Sequence, residues 1–262
     1  MTRRFERYVA IGDSTTEGLD DPDGNGGYRG WANRLAERIA AMQGSLLYAN
    51  LGIRGRTTRQ VLDEQLERAA AMRPDLATVV SGTNDVMRRR FDADAAGADI
   101  ETMQSTLIKC GATVLTFTLP DLTPVMPLAR ILRGRVLALA EAIRRACARS
   151  GAILVDLAAH ETSTDPRLWS EDRLHANSLG HALIAEALAY HLSLPGTDRS
   201  WCEPLPDRPR PGLGEKLRAE LVWSHRYLLP FVWRHLQGRS SGDGLVAKRP
   251  ELTLLQGPAG EA

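Results

Sequence analysis

Five short apolar runs punctuate the first three quarters of the chain: Tyr8–Ile11, Leu46–Ala49, Leu76–Val80, Thr113–Phe117 and Ile153–Val155. Runs this short read as strands buried on both faces. Between and after them, apolar residues recur with helical spacing over Trp31–Met42, Thr58–Met72, Ala95–Lys109, Ala129–Ser150 and Leu179–His191. Strands alternating with helices predict an α/β fold, one parallel sheet covered on both faces. Ligands of such sheets bind outside the carboxyl ends of the strands. The segments after Ile11, Ala49 and Val80 therefore point into one crevice.

The pattern changes at Pro195. Pro204, Pro206, Pro209 and Pro211 predict an extended linker, and a helical stretch from Gly214 to about Tyr227 follows, with Leu217, Leu221, Trp223 and His225 near its apolar side. Pro230 kinks or ends it. Trp233 and Leu236 add apolar surface before a Gly- and Ser-containing tail, Gly238–Gly244. Residues 1–194 are expected to form one domain, and 195–262 a proline-rich linker with a C-terminal helical extension. Three of the five tryptophans, Trp201, Trp223 and Trp233, lie in that extension among Arg218, Arg226, Arg234 and Arg239. A helix packed over the domain is the expectation, with a lid, a dimer arm or a membrane-surface contact as sharper readings.

Charge narrows the classes of partner. A net charge of +1 over 262 residues gives no global field for nucleic acid or an anionic membrane. Cys110, Cys147 and Cys202 contain no C-x-x-C pair, which argues against a disulfide framework or a zinc site and suits a reducing compartment. Met1 to Arg7 carries no apolar leader, and no segment reaches the roughly 18 apolar residues of a spanning helix, so a cytoplasmic protein is expected.

Three motifs carry the candidate chemistry. Gly12-Asp13-Ser14 follows the first strand, Gly82-Thr83-Asn84-Asp85 follows the third, and Asp172-Arg173-Leu174-His175 precedes the last helix. Serine is a poor nucleophile at neutral pH and needs a base, and the base needs an orienting acceptor. Ser14 is the candidate nucleophile, His175 its base and Asp172 the orienting carboxylate, while Asp13 is expected to accept from loop backbone. The Ser14 and Gly55 amides and the Asn84 side chain are the candidate oxyanion donors. His160, His181, His191, His225 and His235 lack comparable partners and are expected at the surface or in the core. Neither a G-x-S-x-G elbow nor a phosphate loop is present.

Together these pieces resemble the SGNH (GDSL-type) hydrolase superfamily. Its sequence blocks are matched by Gly12-Asp13-Ser14 with Glu17-Gly18, by Asn50-Leu51-Gly52-Ile53-Arg54-Gly55, by Gly82-Thr83-Asn84-Asp85 and by Asp172-Arg173-Leu174-His175, in family order from Tyr8 to about Leu194. Arg29-Gly30-Trp31-Ala32 and Arg239-Ser240-Ser241-Gly242-Asp243-Gly244 also resemble an actinobacterial branch of it. The resemblance implies a three-layer α/β/α flavodoxin-like sandwich and a serine hydrolase that cleaves small acyl, lipid or carbohydrate esters through an acyl-serine. It implies no cofactor. An acyltransferase using the same acyl-serine is the alternative, and a non-catalytic ligand-binding module of the same fold is another.

Two smaller features complete the reading. Asp21, Asp23, Asn25 and Gly26 match the start of a calcium loop, but Ala32 stands where the bidentate Glu belongs. A polar loop bordering the substrate pocket is expected there, with no metal. Trp169 either shapes that pocket or belongs to the core.

Overall fold

The strands form where the apolar runs lie. In the computed structural model, which describes residues 4–207, 212–228, 230, 242 and 244–257, β1 (Arg7–Gly12) leads through α1 (Ser14–Glu17) to α2 (Gly30–Gln43) and β2 (Ser45–Asn50). Then come α3 (Thr58–Ala71), β3 (Leu76–Val80), α4 (Thr83–Val86), α5 (Ala93–Lys109) and β4 (Thr113–Phe117). The chain continues through α6 (Arg133–Ser150), β5 (Ile153–Val155), α7 (Ser178–His191), α8 (Leu213–Trp223) and β6 (Arg249–Gln256). The strand order is β5-β4-β3-β1-β2-β6; β1 to β5 are parallel and β6 is antiparallel to β2.

Alternate residues of β1 explain the three layers. Tyr8 and Ala10 pack with Trp31, Leu35 and Ile39 of α2 and with Leu188 of α7. Val9 and Ile11 face the other way, toward Val61 of α3, Ile100 and Met103 of α5 and Ile143 of α6. The α/β/α sandwich is thus present, with a mixed, mostly parallel sheet.

Three details depart from the sequence expectation. The helix expected over Ala129–Ser150 is split: Pro127–Ile131 forms a separate tight turn and α6 starts at Arg133. Proline at the front of that turn suits a helix start but not a helix interior. The sheet also gains β6, inside the segment expected to be a linker and helical extension. Pro250 demotes its run, and Leu252, Leu254 and Leu255 do not alternate cleanly, yet an edge strand tolerates both. Trp223 of α8 is buried, whereas Leu221 of the same helix and His225 just beyond it, both of the expected apolar side, face solvent. The helix ends at Trp223 and a wider helical turn, Ser224–Leu228, precedes Pro230. The side chain of Leu217, the residues Trp233, Arg234, His235, Leu236 and Arg239, and most of the Gly238–Gly244 tail lie outside the described residues.

Candidate active site

Register sets the first half of the site. Gly12 pairs with Val80, so β1 and β3 end level, and Ser14, the first residue of α1, and Asn84, the second of α4, follow at the same edge. Gly12 is required by close approach: a Cβ there would lie 2.1 Å from the Val80 carbonyl oxygen. Gln65 of α3, buried, grips the peptide on both sides; its Oε1 accepts from the Gly12 N–H at 2.9 Å and its Nε2 donates to the Gly12 carbonyl at 2.9 Å. A glutamine between Val61 and Ala69 on the buried stripe of a helix was the signal that sequence reasoning passed over.

The loop carrying Gly55 is tied down from two directions. Glu17 of α1 accepts from the Arg54 backbone at 2.9 Å and pairs with the Arg54 guanidinium. Asn84 donates to the Arg56 carbonyl at 3.0 Å, which leaves its amide a second N–H and fixes the side chain beside this loop. Gly55 has φ of 77°. Gly242, in the C-terminal segment, lies so close that a Cβ on it would be 1.9 Å from the Arg54 carbonyl oxygen.

The second half of the site stands on a turn outside the sheet. A bridge between Trp169 and Ala176 closes it, and Ser170 N–H donates to the His175 carbonyl at 2.8 Å. Asn177 caps α7 immediately afterwards, accepting from the amides of Leu179 and Gly180. Asp172 Oδ1 accepts from Ser170 Oγ at 2.6 Å, Leu174 N–H at 2.8 Å and His175 N–H at 3.0 Å. Its Oδ2 lies 2.6 Å from His175 Nδ1, and His175 Nε2 lies 2.9 Å from Ser14 Oγ. Because a carboxylate only accepts, Nδ1 carries the proton of the neutral ring and Nε2 accepts from the serine hydroxyl. Ser14, His175 and Asp172 are thus brought into one chain of hydrogen bonds.

The electrostatics agree with that geometry. Burial pulls His175 down, but its bond to Asp172 and the charges of Asp172, Asp20 and Asp13 outweigh this and raise its pKa. Burial pushes Asp172 up, yet His175, Ser170 and the turn amides hold it well below the usual carboxylate range. Asp13 takes the expected structural place, accepting from Thr15 N–H at 3.0 Å, and burial pushes it up to about 6. Asp20, which sequence reasoning did not single out, stands 3.9 Å from His175 Nδ1.

Asp20, Asp172 and His175 form the only group of metal-ligand type among the described residues. The bond between Asp172 and His175 occupies two of its three members. The loop resembling a calcium site spends its carboxylates elsewhere. Asp21 accepts two bonds of 2.8 Å from Arg34 and one of 3.0 Å from Gly30 N–H, while Asp23 accepts from the amides of Asn25 and Gly27.

A cavity of about 130 Å³ opens beside His175. Thr15 and Thr83, neighbours of Ser14 and Asn84, are among its lining residues, and Phe117, Leu119, Leu122, Met126, Leu157 and Ile184 form apolar wall. Trp169 and His160 line it too, as does Trp201 from beyond Pro195. Among the described residues, the Asp21–Gly27 loop contributes none of this wall, contrary to expectation, because its carboxylates fold it against Arg34 and its own backbone. His181 belongs to the core, its Nδ1 accepting from Trp31 N–H at 3.1 Å and its Nε2 donating to the Leu19 carbonyl at 2.9 Å. His235 lies outside the described residues.

Comparison with known proteins gives a consistent result. Residues 10–183, about two thirds of the chain, match the sequence model of the GDSL-like Lipase/Acylhydrolase family. The GDSL lipase Rv0518 of Mycobacterium tuberculosis is 28% identical over 200 residues, covering 73% of this chain and 83% of that protein. Among solved structures, a catalytic mutant of Axe2, an acetylxylan esterase from Geobacillus stearothermophilus, superposes with a TM-score of 0.62 at 18% identity, covering 78% of this chain and 100% of that one. A lipase/acylhydrolase from Enterococcus faecalis superposes with a TM-score of 0.59 at 21% identity, covering 71% and 95%.

Proposed function

Because the chain belongs to the GDSL-like lipase/acylhydrolase family and is a carboxylic ester hydrolase, we propose that it cleaves esters of apolar acyl chains longer than acetyl through an acyl-Ser14 intermediate. The observation that carries the substrate class is the apolar cavity beside His175. Dry apolar cavities of about 150 Å³ accept hydrocarbons of benzene size, and each CH₂ buried contributes about 0.8 kcal/mol. An acetyl group would leave most of this wall unused, and a sugar would meet too few polar partners on it.

In this reading Ser14 Oγ attacks the ester carbonyl carbon while its proton passes to His175 Nε2. The carbonyl oxygen becomes an oxyanion, held by the Ser14 and Gly55 amides and the Asn84 side chain. Asp172 keeps the proton on Nδ1 and stabilises the imidazolium. The C–O bond to the leaving group then breaks, His175 returns the proton to the departing alcohol, and the acyl group remains on Ser14. Water attacks the acyl-serine with His175 again taking the proton; the Ser14 Oγ–acyl bond then breaks, His175 returns the proton to Oγ, and the acid leaves.

The test is hydrolysis of p-nitrophenyl acetate, butyrate and octanoate by the wild type and Ser14→Ala. Ser14-dependent kcat/KM that rises from acetate, by up to about fourfold per added CH₂ until the cavity is filled, is expected. A preference for acetate would overturn the substrate class, and full activity in a clean Ser14→Ala preparation would overturn the acyl-serine.

A further inference from the structure

The turn bearing Asp172 and His175 is held from outside by the C-terminal segment. Trp223, only 6% exposed at the end of α8, donates through its indole N–H to the Asp172 carbonyl at 3.1 Å. Arg173 sits at the tip with φ of 60°, a left-handed conformation rare for a residue with a side chain. Its guanidinium bonds to Glu220 of α8 at 2.7 Å and lies 4.8 Å from the centre of the Trp223 ring. Just beyond, Tyr227 donates to Glu171 at 2.7 Å, and Arg226 pairs with the same carboxylate at 3.4 Å.

We propose that α8 and the turn after it form a clasp on the Asp172–His175 turn, with Trp223 and Glu220 acting as positioning residues for the reaction. This rests on the roles given above to Ser14, His175 and Asp172. The bonds from Ser170, Leu174 and His175 fix the Asp172 carboxylate within its own turn and move with it. They do not fix the turn against Ser14, which belongs to the sheet edge. That registration needs contacts from outside the turn, and Trp223 reaches the carbonyl of Asp172 itself. Catalytic groups need placement within about 0.5 Å, and a 1 Å error costs about a hundredfold in rate. The clasp therefore acts through the Ser14–His175–Asp172 chain and touches no substrate.

The ionisable groups facing His175 are Asp172 on its own turn, Asp20 after α1, Asp13 at the end of β1 and His181 on α7. Asp172 is the carboxylate that the clasp positions. Loosening it weakens the support for the protonated imidazole, so the acid limb of kcat/KM moves to lower pH. A helix that merely packed on the domain would leave that limb in place.

Trp223→Phe keeps an aromatic ring beneath Arg173 but removes the N–H together with the rest of the five-membered ring, and Glu220→Gln removes the charge that holds Arg173. Trp223→Phe is expected to lower kcat about fivefold, the size of one hydrogen bond, with KM within about twofold and the acid limb shifted down. Glu220→Gln moves both readouts in the same direction by less. Leu221→Ala, exposed on the same helix, keeps wild-type values. Wild-type kcat and acid limb in folded Trp223→Phe and Glu220→Gln would overturn the clasp. Ser14→Ala in the same assay separates the two ideas: activity without Ser14 defeats the catalytic reading, whereas Ser14-dependent turnover indifferent to both clasp variants defeats the clasp alone.

Discussion

The two halves of the site are built by different means. Ser14, the Gly55 loop and Asn84 sit where parallel strands end, with Gln65 on Gly12, Glu17 on Arg54 and a bond from Asn84 to Arg56 beside them. His175 and Asp172 sit on a turn outside the sheet, held by hydrogen bonds within the turn and by α8. Sheet register fixes the first half as a by-product of folding. The second half depends on contacts that have to be made one at a time, and single substitutions there are expected to cost rate more than stability.

The largest expected effect falls on the second half. Asp172→Asn leaves the turn's shape largely intact but removes the charge that raises His175, and kcat is expected to fall by about four orders of magnitude. With His175 as the proposed base, which must be neutral to work, its raised pKa is expected to set the wild-type acid limb above the ordinary histidine value. A loss below about tenfold on butyrate would break the assignment of Asp172 as the orienting group. On the sheet side, Asn84→Ala is expected to cost about 2.7–4 kcal/mol of transition-state stabilisation, read in kcat. A change confined to KM would move Asn84 from oxyanion donor to binding contact.

This difference also explains how much could be read from the chain. Strands with short continuous apolar runs were legible, Leu76–Val80 and Thr113–Phe117 to the residue, because a doubly covered sheet leaves no polar alternation to misread. The motifs after them were legible because strand ends carry their loops to one edge. Gln65 was not, since a buried polar residue on an amphipathic helix gives no sign of the backbone it grips. The contact of Trp223 with Asp172 spans 51 residues of sequence and starts from a helix whose apolar side the pattern misplaced. β6 was hidden by Pro250 and by the irregular spacing of its leucines.

His175 and His181, six residues apart, sharpen the comparison through pH. His181 is fixed as a neutral ring between Trp31 and Leu19, and burial pulls it down to about 4. Between that value and the ordinary 6.5, the unfolded chain binds a proton that the folded protein refuses, so stability falls as pH drops through this window. The full cost is about 3 kcal/mol. His175 runs the other way: its pKa is raised, so its contribution is complete below the ordinary value and is lost as pH rises through the folded one. Asp13, pushed up to about 6, contributes the opposite slope at the acid end of this range, so the His181 effect is read as a difference. In urea melts between about pH 4 and 7, wild-type stability should climb with pH more steeply, or fall less, than that of His181→Gln. Equal slopes in the two proteins would place the acid sensitivity elsewhere.

The smallest effect tests whether the halves are independent. Thr57 opens α3 with a capping box, its side chain accepting from Gln60 N–H while Gln60 accepts from the Thr57 amide at 3.0 Å. Thr57→Ala is expected to cost about 1 kcal/mol of stability. The same helix carries Gln65 two turns later, which links fraying at the cap to Gly12 and Ser14. The sheet limits what that link transmits, because Gly12 is also fixed by its register with Val80 and lacks room to shift. Thr57→Ala should therefore lower the melting midpoint while kcat stays within about twofold of wild type, the inverse of Trp223→Phe. A fall in kcat comparable with that of Trp223→Phe would show that the sheet edge, too, is held by individual contacts and not by register.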